Sequence, residues 1–80
     1  MNLVEYVEFL IKGIVKKPDM VKVEGFELEE SYMLEVIVHD EDKGLVIGRN
    51  GGTISALRTL IKIKGYQENI ENIKINVDSF

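Results

Sequence analysis

The stretch "GLVIGRNGGTI", Gly44 to Ile54, sets four glycines within nine positions among aliphatic and β-branched residues. A glycine inside a helix costs about 1 kcal/mol relative to alanine, yet the segment is too apolar for an ordinary surface loop. Its flanks resolve the conflict. Asp40 or Asp42 can cap a short helix running to Ile47, and a second helix is predicted over residues 53–64. The glycines then form a tight turn between two helices, at Gly48-Arg49-Asn50-Gly51. In the second helix Ile54, Leu57, Leu60 and Ile61 share an inner face, while Ser55, Arg58, Thr59 and Lys62 face outward. Gly65 suits the position just past its end.

Working outward, residues 3–16 read as an amphipathic helix. Leu3, Val7, Leu10 and Ile14 form a stripe that Val4, Ile11 and Val15 widen. Asn2 with Glu5 three residues on makes a capping box, and Pro18 stops the helix. In "MVKVEGFEL" the apolar parity shifts after Gly25, from Val21 and Val23 to Phe26 and Leu28, which predicts a bulge. In "YMLEVIVH" both parities are apolar: Tyr32, Leu34, Val36 and Val38 on one face, Met33 and Ile37 on the other. That is the pattern of a central strand. "YQENIEN" is a polar loop, and "IKINV" makes a third strand with Ile73, Ile75 and Val77 inward. The order is helix, strand, strand, helix, helix, strand. This is an α+β fold, with three helices packed on a three-stranded sheet in a single domain over residues 1–80.

The chain has 80 residues, 45% of them hydrophobic, and no cysteine. Without disulfides or thiolate metal sites it must rely on its core, with self-association as a further source of stability. Glu5 and Glu8 stand where an export signal would carry Lys or Arg, so the cytoplasm is the expected compartment. The net charge of -4 argues at first against a nucleic-acid partner. Its distribution argues otherwise. Between Lys43 and Lys64 stand Lys43, Arg49, Arg58, Lys62 and Lys64 with no acidic residue among them. One basic region, opened by the glycine stretch, sits on an otherwise acidic domain.

A helix N-terminus reached through bare glycine attracts anions, because its first amides lack intrahelical partners and carry the positive end of the helix dipole. Gly52 or Thr53 takes the cap position. Arg49 at the tip can add a charge-assisted contact. Arg58 lies roughly 10 Å further along the helix, and Lys62 one turn beyond it, so the three cations can follow successive phosphates of an extended strand. Other phosphate motifs fail: no Lys follows the last glycine, as a Walker loop requires, and the G-x-G-x-x-G spacing is missing. There is no Ser/His/Asp set and no Glu/His metal spacing. The lone His39, beside Asp40, Glu41 and Asp42, reads as a turn residue, and those acids read as caps. No catalytic residue, metal or cofactor is expected; the chain reads as a non-enzyme.

"VIGRNGGTI", Val46 to Ile54, resembles the V-I-G-x-x-G-x-x-I signature of KH (K-homology) domains. The element order is similar to the type II arrangement of bacteria. Across essentially the whole chain the resemblance is greatest to the small stand-alone bacterial KH proteins of the KhpA type, in which "GKVIGKxGRxAxAIRT" recurs. Here Leu45 replaces the usual basic residue before Val46, and Gly52 replaces the usual Arg after the loop, so the site carries less positive charge. Such domains clamp about four nucleotides of single-stranded RNA with the GxxG loop. Carried over, the resemblance implies a clamp at Gly48, Arg49, Asn50 and Gly51, and an apolar groove for bases built with Ile47 and Ile54. Loop 65–72 would close the groove's far side. It also implies an RNA chaperone or post-transcriptional regulator, self-association as a homodimer, and pairing with a cytoplasmic KH protein of the Jag (KhpB) type. Few aromatics are available for stacking and none lies in the clamp, so sequence preference should be modest. A competing expectation is a protein-interaction or dimerisation module on a KH scaffold with little RNA binding. The acidic balance and Gly52 favour it; the intact GxxG with Arg49 favours RNA. Met33 and Ile37, on the sheet face the helices leave open, are either tolerated exposure or part of a subunit contact.

Overall fold

A computed structural model describes residues 1–80. The elements are α1 (Leu3–Lys12), β1 (Lys22–Glu27), β2 (Tyr32–Val38), α2 (Lys43–Ile47), α3 (Gly52–Gln67) and β3 (Ile73–Ser79). Short 3-10 turns at Pro18–Met20, Asp40–Asp42 and Arg49–Gly51 join them. The sheet order is β1-β2-β3, with β1 antiparallel and β3 parallel to the central β2. A parallel pair needs a crossover connection, and α2 and α3 supply it. All three helices lie on one face of this mixed sheet, as the apolar periodicities predict. No helix is long and apolar enough to cross a membrane.

The core lies between the layers. Leu34, Val36 and Val38 of β2 are buried against Leu3, Val7 and Ile11 of α1, Val46 of α2, and Ile54, Leu57 and Ile61 of α3. The capping box forms as expected: Asn2 Oδ1 accepts from the Glu5 amide at 2.9 Å, and Glu5 Oε1 from the Asn2 amide at 3.0 Å. On the open face of the sheet Met33 and Ile37 are half-buried, and Glu35 accepts from Asn76 Nδ2 at 3.0 Å.

Four expectations need correction. First, α1 stops at Lys12 rather than residue 16. The amides of Lys16 and Lys17 turn away from the helix and donate to the Asp42 carboxylate at 3.1 and 3.0 Å. Second, β1 carries no bulge: the pairing with β2 is unbroken from Lys22↔Ile37 to Glu27↔Tyr32. Gly25 instead leaves room on the inner face for the Tyr32 hydroxyl and Val4, while Phe26 lies on the outer face opposite Met33. Third, α3 runs on to Gln67 and encloses Gly65. A Cβ at Gly65 would run into Ile73 Cδ1, so this glycine permits helix–strand packing rather than ending the helix. Fourth, Leu60 is 43% exposed. It lies about 100° round the helix from Ile61 and off the buried stripe.

Candidate functional site

The chain from Asp42 to Gly52 is folded by a few local constraints. The Asp42 carboxylate, fully buried, ties the start of α2 to the segment after α1. It makes no cap bond of its own. The cap of the preceding turn is His39, whose Nδ1 accepts from the Glu41 amide at 3.1 Å. The histidine and the acids thus have structural roles, though Asp42 is a tether between distant segments rather than a helix cap. Asp40 accepts from Ser79 Oγ at 3.3 Å, which fastens the same corner to the end of β3.

α2 ends where Gly48 adopts φ 78°, ψ 171°, a conformation open essentially to glycine only. A Cβ there would also overlap the Thr53 side chain and come within 2.6 Å of the Thr53 backbone nitrogen. Asn50 follows at φ 55° and Gly51 at φ 73°. Asparagine tolerates the left-handed region better than most residues, so R-N is suited to the tip. Gly51 caps α3, and Gly52 is its first residue, so neither Gly52 nor Thr53 takes the cap position. The first amides of this junction are not all open. Gly51 donates to the Gly48 carbonyl at 3.1 Å, and Gly52 donates to that of Arg49. The positive character of the tip therefore comes mainly from the α3 dipole and from Arg49.

Arg49 and Asn50 are exposed, and Gly48 and Gly51 partly so. Ile47 is half-buried at the edge of the core. Ile54 is buried within it, so it supports the surface from below and offers a base little area. Arg58 and Lys62 are exposed along α3. Five of the ten cations have a carboxylate within 4 Å: Lys12, Lys17, Lys22, Lys43 and Lys64. Arg49, Arg58 and Lys62 do not, although the chain holds 14 acids. The fold spends its acids elsewhere and leaves this row of positive charge unneutralised. Lys16 is also unpaired, as is Lys74 at the start of β3, which was not singled out by sequence spacing. The loop beyond α3 is shorter than the expected 65–72 because the helix itself runs to Gln67.

Residues 4–78 match the family described as KhpA/KhpB, KH domain. The chain is 52% identical over 59 residues to RNA-binding protein KhpA of Streptomyces coelicolor, covering 74% of this chain and 75% of that one. It is 43% identical over 60 residues to RNA-binding protein KhpA of Borreliella burgdorferi, covering 75% and 73%. Among solved structures it resembles Era in complex with MgGDPNP and nucleotides 1506–1542 of 16S ribosomal RNA. The TM-score is 0.70 and the identity 14%, over 96% of this chain and 29% of that one, a likeness of fold. By the extent of the family match and of these identities, the chain belongs to the KhpA/KhpB KH-domain family.

Proposed function

We propose that this protein binds single-stranded RNA, without chemistry on it, and acts in the cytoplasm as an RNA chaperone or post-transcriptional regulator. The observation that carries the proposal is the row Arg49, Arg58, Lys62, free of carboxylates and beginning at the glycine junction. Phosphates pack against the bare backbone of Gly48 to Gly51, with Arg49 and Asn50 reaching around them. Ile47 gives an apolar contact to a base, held in place by Ile54 beneath it. Relatives bearing the name RNA-binding protein, and a fold neighbour whose structure holds ribosomal RNA, support RNA as the ligand. Residues 1–80 act as one KH unit.

The test is binding of a fluorescent single-stranded RNA to the wild type and to Arg49→Asp/Asn50→Asp, at low and moderate salt. Both positions are exposed, and Asp tolerates the left-handed conformation at residue 50, so the variant should fold, as circular dichroism would verify. Three cations on successive phosphates predict a log–log salt slope of about -2. Equal binding by both proteins would place the contact elsewhere.

Self-association is a second role for the same chain, favoured by Leu60 and Ile63, exposed about one turn apart on α3. That face would serve a homodimer or a Jag (KhpB)-type partner. Sedimentation of Leu60→Lys/Ile63→Lys against the wild type tests it. A salt-insensitive dimer lost in the variant, with no RNA binding by either protein, would favour the interaction module over the RNA binder.

A further inference from the structure

A depression lies away from the glycine junction, at the far end of α3. It is an open cleft of about 800 Å³ lined by Lys62 and Tyr66 of α3, Ile70 and Glu71 of the following loop, Lys74 of β3, and Glu30 of the β1–β2 turn. A volume of this order accommodates small ligands. The cleft is preformed. Asn72 Nδ2 donates to the Glu30 carbonyl at 2.8 Å, and the Tyr32 amide donates to the Asn72 carbonyl at 3.0 Å, which pins the loop to the turn opposite. Tyr66 is 77% exposed, more than any other large apolar side chain. Two cations and two carboxylates line the cleft, yet no ion pair forms among them. The carboxylates of Glu30 and Glu71 accept no hydrogen bond. A ligand that satisfies all of these groups must carry a flat ring, negative charge, and hydrogen-bond donors. A nucleotide with an exocyclic amino group has all three.

The cleft is continuous with the cation row. Arg58, Lys62 and Tyr66 are spaced by four residues and share one face of α3. Tyr66 lies fifteen residues past Gly51, about 22 Å along the helix. A clamp at the junction holds about four nucleotides, and a stacked strand advances about 3.4 Å per nucleotide, so the cleft falls beyond the clamped segment.

We propose that this cleft is a second base site on the same RNA strand. A base bearing an exocyclic amine stacks on Tyr66 and donates to Glu30 or Glu71, while Lys62 and Lys74 hold the flanking phosphates. The site prefers adenine or cytosine to uracil, whose Watson–Crick edge has no amine. This rests on the RNA-binding proposal above.

The test uses the intact chain and labelled oligoadenylate, oligocytidylate and oligouridylate of about four and about eight nucleotides. Tyr66→Ala, at an exposed position, should weaken binding of the longer oligoadenylate by about 5- to 150-fold. It should leave the shorter one unchanged, and Tyr66→Phe should restore the loss. Glu30→Gln/Glu71→Gln should narrow the preference of the longer RNA for adenine over uracil. Tyr66→Ala binding the longer RNA as the wild type does would overturn the second site while leaving the clamp intact, as would an equal loss on both lengths. A wild type that binds none of the six RNAs would refute RNA binding and this site together.

Discussion

Replacing Gly48 and Gly51 by alanine, one at a time, should give unequal results, although both glycines belong to one signature. At Gly48 the backbone sits at φ 78°, ψ 171°. A non-glycine residue in that region pays about 1–3 kcal/mol of strain. The added Cβ would also press within 2.6 Å of the Thr53 nitrogen, and backbone at a helix start has no rotamer by which to escape. Forced overpacking adds about 1–3 kcal/mol, so the expected cost is about 2–6 kcal/mol. At Gly51, φ 73°, ψ 15° lies in the left-handed helical region, and the nearest atom to an added Cβ is Ile54 Cγ2 at 4.0 Å. The cost there is the conformational penalty of about 1–2 kcal/mol, partly offset by about 0.4–1 kcal/mol from the less flexible unfolded chain. A domain of this size has about 4–12 kcal/mol of stability in all. Gly48→Ala should therefore lower the urea midpoint severely, while Gly51→Ala remains folded with a net loss of about 1 kcal/mol. Urea titrations followed by far-ultraviolet circular dichroism measure both. Equal losses, or a larger loss at Gly51, would refute the assignment of separate steric roles to the two glycines.

Other expectations follow from single contacts. Asp42→Asn should cost about 2 kcal/mol and Asp42→Ala about 3 kcal/mol in urea unfolding, since a buried carboxylate holding two amides is lost; a change within about 0.5 kcal/mol would mean that water replaces it freely. Gly65→Ala gains about 1 kcal/mol of helix propensity but drives a Cβ into Ile73 Cδ1, so a net loss of about 1 kcal/mol is expected, and stabilisation would show that Ile73 simply turns aside. Burial, and then the carboxylates of Glu27 and Glu68, raise the Tyr32 phenol above its ordinary value of 10.0. Folding thus favours the neutral phenol, and its contribution is full below the unfolded pKa and lost as pH rises through the higher folded one. Unfolding measured at about pH 9 and about pH 11 should show a smaller alkaline loss in Tyr32→Phe than in the wild type.

The element order, the capping box, the central β2 and the helix–turn–helix junction were all legible in sequence, because each rests on local periodicity or on neighbouring residues. What escaped was decided by partners far along the chain. The end of α1 depends on Asp42, 26 positions after Lys16. Gly65 looked like a terminator because glycine often is one, but Ile73 on the adjoining strand makes it a packing residue. The parity shift at Gly25 imitated a bulge, when it is a change in which face holds the aromatic ring. At the candidate site, the glycines and cations were visible as a pattern of types. Which cations lack an acid nearby was not, since pairs such as Lys43–Asp78, 3.6 Å apart, are set by the fold. The cleft at Tyr66 joins three separate segments and left no mark in spacing.

The most direct test is amide NMR of the labelled protein as single-stranded RNA is added. RNA binding through the glycine junction predicts the largest shifts at Gly48 to Thr53, extending along α3 to Arg58 and Lys62, and fading as salt is raised. Shifts confined to the open sheet face around Phe26, Met33 and Ile37, or none at all with RNA in excess, would contradict it.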